Sequence, residues 1–130
     1  MSRKLGLFGK IKFWGYVSEK KKFELLKRAW VMVNPSVREG WGLVNIEANL
    51  MGTPVVAYRS PGLVDAVKDG VSGVIVRENN PEEMAKVVID LLKDKGRREE
   101  LERGAKKWAG QFSWERAGKE GLRLVEQVVR

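Results

Sequence analysis

The chain has 130 residues, enough for one domain with a hydrophobic core, and it contains no cysteine and no histidine. These absences exclude disulfides, thiolate metal sites and every nucleophile that depends on a Ser-His or Cys-His pair. The formal charge of +8 (25 Lys and Arg against 17 Asp and Glu) favours an anionic ligand but does not choose among nucleotides, nucleic acid and a lipid surface. Because the basic residues are interleaved with Glu, a solvated surface is the simpler interpretation of the charge.

The N-terminus is basic but lacks the apolar stretch and cleavage site of a signal peptide, and no apolar run is long enough to span a bilayer. We therefore expect a soluble, cytoplasmic protein. Abundant Lys and Glu without Cys or His also suit a thermophile. The lysines at 20–22 are interpreted as the solvated face of a helix, with peripheral membrane contact as the less favoured alternative.

Short apolar runs alternate with helical patterns along the chain, which is typical of βα units around a parallel sheet. Strands are predicted at 11–17, 30–34, 54–58 and 73–76. Helices are predicted at 19–28 after the cap Ser18, and at 43–51, 61–68, 81–93, 97–109 and 114–129. The predicted fold class is α/β, a Rossmann-like parallel sheet of about four strands flanked by helices and ending in two to three consecutive helices.

The helix at 43–51 is almost entirely apolar but contains one carboxylate. At about 100° per residue, Asn45 and Asn49 share one face, which we expect to be the wetter one. Glu47 then falls on the core side, between Leu43 and Met51. A carboxylate there needs dedicated partners, because burying an unpaired charge is costly.

The start of the same helix has no side chain that could cap it. Gly40, Trp41, Gly42 and Leu43 offer no oxygen to the first-turn amides, and the glycines allow a ligand to approach closely. Free amides at a helix start attract anions. The sequence therefore predicts one composite site, with an anion near Leu43 and a hydroxyl-bearing group near the glutamates on either side.

The positions of the loops support a site at this edge. Ligands of open α/β sheets bind outside the carboxyl ends of the strands. The strand at 30–34 leads directly into Arg38 and Glu39, and the loop at 59–62 follows the neighbouring strand. Considered from the residues alone, a structural salt bridge from Glu39 or Glu47 to Arg28 or Arg38 remains an equal alternative.

The segment 34–57, which begins Asn-Pro-Ser-Val-Arg-Glu-Gly-Trp-Gly-Leu-Val-Asn-Ile-Glu, resembles the signature of the retaining glycosyltransferases of family 4, which are two-domain enzymes of GT-B type. The hallmark of that family is a pair of glutamates separated by seven residues, matched here by Glu39 and Glu47. Further similarity lies at 61–67, 69–73 and 112–115. The resemblance extends from Phe13 onward and corresponds to the later part of the C-terminal nucleotide-sugar-binding domain.

This resemblance implies a role for each residue of the motif. Glu47 would bind the ribose hydroxyls, and Glu39 would act as the catalytic residue beside the donor sugar, stabilising oxocarbenium charge. For Arg38, a contact with phosphate or the acceptor and a solvent-facing loop arginine without such a contact both remain open. The nucleotide-sugar contacts implied are Gly40, Trp41, Gly42, Leu43 and Val44. No metal or other cofactor is expected, since amides and basic side chains offset the diphosphate charge.

The family's acceptor domain and the opening βα units of its C-terminal domain have no counterpart in the sequence. We therefore expect residues 1–130 to form a single, truncated donor-binding domain that is inactive without an acceptor domain. An uncovered sheet edge invites pairing with a second copy, so a non-enzymatic dimerisation module is the alternative function. Nucleic acid is not expected as a partner, because no recognition helix or aromatic RNA-binding motif accompanies the positive charge.

Overall fold

A computed structural model describes residues 4–40 and 42–112 of the chain, which form a three-stranded parallel sheet flanked by helices. The strands are β1 (Met32–Asn34), β2 (Val55–Ala57) and β3 (Gly73–Ile75), in the order β1-β2-β3. The helices are α1 (Glu19–Arg28), α2 (Leu43–Leu50), α3 (Leu63–Ala66), α4 (Pro81–Lys93) and α5 (Lys95–Ala109), followed by a short 3-10 helix at Gly110–Phe112. The predicted Rossmann-like α/β class is confirmed.

The predicted strand at 11–17 is not formed, and this prediction was wrong. Phe13 is 82% exposed and Tyr16 is 99% exposed, and the segment pairs with neither edge of the sheet. A strand needs a neighbour for its backbone groups and a surface on which to bury one face. The segment has neither here, so the sheet has three strands in the described part of the chain.

The helix starts follow the capping residues. Ser18 Oγ accepts from Lys21 N at 3.2 Å, and Asn80 Oδ1 accepts from Glu83 N at 2.8 Å. Helix α5 begins two residues before its predicted start, because Asp94 Oδ1 caps it by accepting from Arg97 N at 3.0 Å. The helix predicted at 114–129 lies outside the described residues. Between residues 4 and 112, no helix has the length and apolar character needed to cross a membrane.

The core surrounds the central strand β2, whose three residues are fully buried. Successive side chains of a strand point to opposite faces, and β1 shows which helix covers each face. Asn34 reaches α2, whereas Val33 lines a groove with Met84 and Val88 of α4. Helices α2 and α4 therefore lie on opposite faces, and the carboxyl ends of β1 and β2 lead into the loops before α2 and α3.

The end of α5 fixes α3 against α2. Trp108 and Phe112 pack on a small buried cluster of Ile46, Ala66 and Ala109. Trp108 Nε1 also donates to the carbonyl of Ala66 at 3.0 Å, which satisfies an acceptor at the end of α3. The two helix starts at the candidate site are thus held by the same packing.

Candidate functional site

The loop at 35–40, which follows β1, lies against the loop at 59–62, which follows β2. Ser60 Oγ donates to the carbonyl of Ser36 at 2.8 Å, and the amide of Glu39 donates to the carbonyl of Pro61 at 3.4 Å. The expectation that these two strand-end loops meet at one edge is therefore confirmed, and the backbone of Glu39 is fixed by that contact.

Gly62 makes this close approach of the loops possible. It has a positive φ of 84°, and a Cβ at this position would lie 2.6 Å from the carbonyl oxygen of Glu39 and 2.8 Å from that of Gly40. Only glycine adopts this conformation and leaves this space. The start of α3 can therefore pack directly against the backbone that carries Glu39.

The start of α2 is uncapped, as predicted. Gly42 occupies the N-cap in the left-handed region, at φ 63° and ψ 47°, and provides no side-chain hydrogen bond to the first turn. The first two helical residues are Leu43 and Val44, whose side chains are 51% and 37% exposed. The amide of Asn45 donates to the carbonyl of Gly42 at 2.9 Å, so the amides of Leu43 and Val44 are the ones left without a cap at the partially positive helix tip. Trp41, another predicted contact, lies outside the described residues.

Glu47 lies at the boundary between the core and solvent, with its side chain 15% exposed. Its partner is Lys22 of α1, whose Nζ lies 2.9 Å from Glu47 Oε2, rather than Arg28 or Arg38. The hydrogen bond to Glu47 raises the pKa of Lys22 above its ordinary value. This partner of Glu47 was not predicted, because the lysines at 20–22 have the pattern of a solvated helix face.

The expectation that Asn45 and Asn49 occupy the wetter face of α2 was wrong, since both are fully buried. Asn34 Nδ2 donates to Asn45 Oδ1 at 3.0 Å. Asn49 Nδ2 donates to the carbonyls of Thr53 and Ser72, at 2.9 and 3.1 Å. Because the oxygen of Asn45 and the nitrogen of Asn49 find partners inside the protein, α2 turns both side chains inward together with Ile46 and Ala48, while Leu43 turns out.

Because the asparagine face of α2 is buried, the surroundings of Glu47 differ from the predicted ones. It stands at the edge of an exposed apolar surface, paired with a cation, instead of deep on an apolar core face. The spacing of two asparagines four residues apart was the only signal of a polar buried face, and it fits a solvated face equally well.

The other two charged residues predicted for the site, Arg38 and Glu39, differ in their exposure to solvent. Arg38 is exposed, with its carbonyl accepting from Ser36 Oγ at 3.0 Å, while Glu39 is half-buried. Within residues 4–40 and 42–112, no three Asp or Glu side chains group closely enough to ligate a metal ion.

Comparison with known proteins identifies the family. The family described as "Glycosyl transferases group 1" matches residues 1–108. The chain belongs to this family. The resemblance of segment 34–57 to GT-B glycosyltransferases, noted from the sequence, is thereby confirmed.

The relatives of this glycosyltransferase chain are considerably longer than the chain itself. A D-inositol 3-phosphate glycosyltransferase of Salinispora tropica is 44% identical over 105 residues, which are 81% of this chain and 22% of the relative. Another protein of that name, from Streptomyces bingchenggensis, is 37% identical over 130 residues, or 100% of this chain and 29% of the relative. The chain thus spans less than a third of either relative.

Solved structures share the fold. Sucrose-phosphate synthase from Thermosynechococcus elongatus superposes with a TM-score of 0.89 at 26% identity, covering 98% of this chain and 32% of that protein. The Anabaena protein HepE, solved in complex with UDP, superposes with a TM-score of 0.88 at 24% identity, covering 97% of this chain and 35% of that protein. The arrangement of strands and helices is therefore that of the GT-B enzymes.

Proposed function

We propose that this chain forms the donor side of a retaining glycosyltransferase and binds a nucleoside-diphosphate sugar at the edge where β1 and β2 end. The observation that carries the proposal is the half-buried carboxylate of Glu47 about one turn inside α2, whose N-terminal amides have no side-chain cap. The same short helix thus carries a carboxylate that can accept hydrogen bonds from hydroxyl groups and N-terminal amides that can bind an anion.

The nucleoside diphosphate uses both features. The ribose hydroxyls donate to the carboxylate of Glu47, which is paired with Lys22. The diphosphate lies at the helix tip, where the amides of Leu43 and Val44 and the positive end of the helix dipole stabilise its charge. Gly42 contributes by adopting the left-handed conformation before the helix, where a Cβ would collide with Asn45 Nδ2.

The donor sugar lies beside Glu39. The contact of Glu39 with Pro61 and the close fit of Gly62 fix this backbone at the same edge as the tip of α2. The carboxylate of Glu39 there contacts the sugar hydroxyls and stabilises oxocarbenium charge at the anomeric carbon. Gly40 and Trp41 complete the sugar contacts, and Arg38 contacts phosphate or the acceptor.

Transfer requires an acceptor held in a closed cleft as well as a bound donor. We therefore propose that residues 1–130 supply the donor-binding part of the transfer reaction, that transfer also needs an acceptor-binding domain, and that donor binding needs no metal. The proposed setting is the cytoplasm, where nucleotide sugars are the available donors.

The proposal is tested by isothermal titration of the protein with UDP, GDP and ADP; UDP is the first choice because HepE was solved with it. At least one nucleotide should bind, and Glu47→Gln should weaken it by tenfold or more, because a hydrogen bond to a charged group is lost. Glu82→Gln, the same change on an exposed residue of α4, should leave binding unchanged. Absence of binding by all three nucleotides rejects the proposal.

A second candidate function is self-association through the outer edge of β1, which pairs with no other strand among residues 4–40 and 42–112. Val33 is 43% exposed at that edge and lines an apolar groove with Pro35, Tyr58, Val88 and Ile89. An uncovered apolar edge favours pairing with the same strand of a second copy. Sedimentation equilibrium should then show a dimer that Val33→Lys dissociates, whereas a monomer at high concentration rejects this candidate.

A further inference from the structure

Lys22 and Glu47 form an ion pair between two helices. Lys22 Nζ in the first turn of α1 lies 2.9 Å from Glu47 Oε2 in α2. The other ion pairs within the described residues join positions three or four apart in a single helix, at 2.8 to 4.0 Å. This pair is therefore the one between residues 4 and 112 that ties a candidate ligand-binding side chain to another element.

The pair holds the carboxylate in a defined orientation. A glutamate side chain otherwise samples several rotamers, and fixing it costs conformational entropy on ligand binding. Both side chains are partly sheltered, at 32% exposed for Lys22 and 15% for Glu47, so that water screens the pair less than an exposed one. Lys22 also lies 4.0 Å from Glu19, but that contact is longer and Glu19 is 86% exposed.

The geometry of the pair leaves room for a ligand. Lys22 engages Oε2 of Glu47, and a carboxylate can accept about four hydrogen bonds over its two oxygens. The cation also offsets the negative charge of Glu47 near the diphosphate, which would otherwise repel it. A vicinal diol that donates two hydrogen bonds would therefore meet a carboxylate that is already oriented.

We propose that Lys22 is a positioning residue that orients Glu47 toward the ribose diol and thereby sets a preference for ribonucleotides over 2′-deoxyribonucleotides. This inference rests on the proposed function, since it concerns the same donor site. Without Lys22, the carboxylate of Glu47 loses its fixed partner and turns toward bulk water. The second hydroxyl of the diol then contributes little, and the two nucleotides bind with similar affinity.

The alternative is that the pair only holds α1 against α2. In that case, removing Lys22 destabilises the protein and lowers the affinities for both nucleotides by the same factor. The ratio of the two affinities distinguishes the two roles, because a general loosening of the helices acts on both ligands alike.

The experiment titrates the full chain with UDP and 2′-deoxy-UDP, with the GDP or ADP pair if the wild type prefers that base. The wild type should prefer the ribonucleotide by about tenfold, the value of one hydrogen bond to a charged group. Lys22→Met should bring this ratio close to one, and Lys22→Arg, which keeps the charge, should restore most of it. Lys20→Met removes the same charge from an exposed position of α1 and should leave the ratio unchanged.

Each outcome decides between the proposals. An unchanged ratio in Lys22→Met rejects the positioning role even if both affinities fall, and leaves the proposed function standing. If the wild type binds no nucleotide, the proposed function and this inference are both rejected. Lys22→Gln replaces Lys22→Met if circular dichroism shows that the methionine variant is unfolded.

Discussion

Asn34 at the end of β1 donates from Nδ2 to Oδ1 of Asn45 in the first turn of α2, at 3.0 Å and away from solvent. The Oδ1 of Asn34 also accepts from the amide of Ser36 at 3.1 Å. One side chain therefore fixes both the loop that carries Glu39 and the helix that carries Glu47. The buried amide pair therefore links the segments that carry the two glutamates.

We expect Asn34→Ala to destabilise the protein by about 1–3 kcal/mol, because it leaves the buried oxygen of Asn45 without its donor. Asn79→Ala is the matched control, since Asn79 is exposed and its side chain bonds to the backbone of Arg59, at 2.7 and 2.8 Å. The free energy of unfolding in urea measures both changes. A cost for Asn34→Ala no greater than that for Asn79→Ala would contradict the role of the amide pair.

We expect Gly62→Ala to be destabilising by about 1–3 kcal/mol, because alanine is strained at a positive φ and its Cβ would collide with the carbonyl of Glu39. The displaced loop should also weaken nucleotide binding. Gly96→Ala in α5, where the nearest atom to a new Cβ is 3.7 Å away, should be neutral or stabilising. Urea unfolding of both variants checks the contrast, which is lost if the two substitutions have equal effects.

The sequence predicted the fold well because apolar periodicity and capping residues are local signals. Ser18, Asn80 and the glycines that precede α2 and α3 each act within one turn of the chain, and the structure bears them out. The predicted strand at 11–17 had the same local signal but no neighbouring strand. Pairing is a property of the whole sheet, so an alternating apolar run predicts a strand only if a partner is present.

The candidate site was predicted in part, for a related reason. The uncapped helix start is visible in the sequence, because capping depends on residue type at one position. The partner of Glu47 is not, because it depends on how α1 crosses α2, and an isolated lysine run gives no sign that Lys22 differs from Lys20. Likewise, Asn45 and Asn49 are buried because groups distant in the sequence, on Asn34 and Ser72, form hydrogen bonds with them. A helical wheel of α2 contains no information about those partners.

Arg98 provides a test of how α4 is held. Its guanidinium is almost fully buried, donates to the carbonyls of Leu91 and Leu92 at 3.1 and 2.8 Å, and lies 4.4 Å from the ring centre of Trp30. Both carbonyls belong to the last turn of α4, where the helix leaves acceptors short of donors, and that of Leu91 accepts from the amide of Asp94 as well, at 3.3 Å. Lysine cannot reproduce the planar stacking, so Arg98→Lys should cost about 1–2 kcal/mol.

Arg103, an exposed arginine of α5, the helix that contains Arg98, is the control for that substitution. Arg103→Lys should change the free energy of unfolding by less than about 0.5 kcal/mol, because an exposed residue away from special contacts tolerates replacement. Thermal or urea unfolding measures both. If Arg98→Lys is as mild as Arg103→Lys, neither the stacking on Trp30 nor the capping of α4 contributes to stability.

The ion pair between Lys22 and Glu47 makes a prediction about alkaline pH. The hydrogen bond to Glu47 raises the pKa of Lys22 in the folded protein above the unfolded value of 10.5. A raised folded pKa stabilises the folded state at pH values below the unfolded pKa, and the stabilisation is lost as pH rises through the folded pKa. The wild type should therefore be more stable than Lys22→Met at neutral pH, and this difference should shrink above pH 10.5.

Urea unfolding of both proteins across that pH range measures the difference in stability, with Lys20→Met as a control whose difference from the wild type stays flat. A Lys22→Met difference that also stays flat would mean that the pair makes no contribution to folding, and that the hold of α1 on α2 comes from apolar packing and from the hydroxyl of Thr53, which donates to the carbonyl of Leu26.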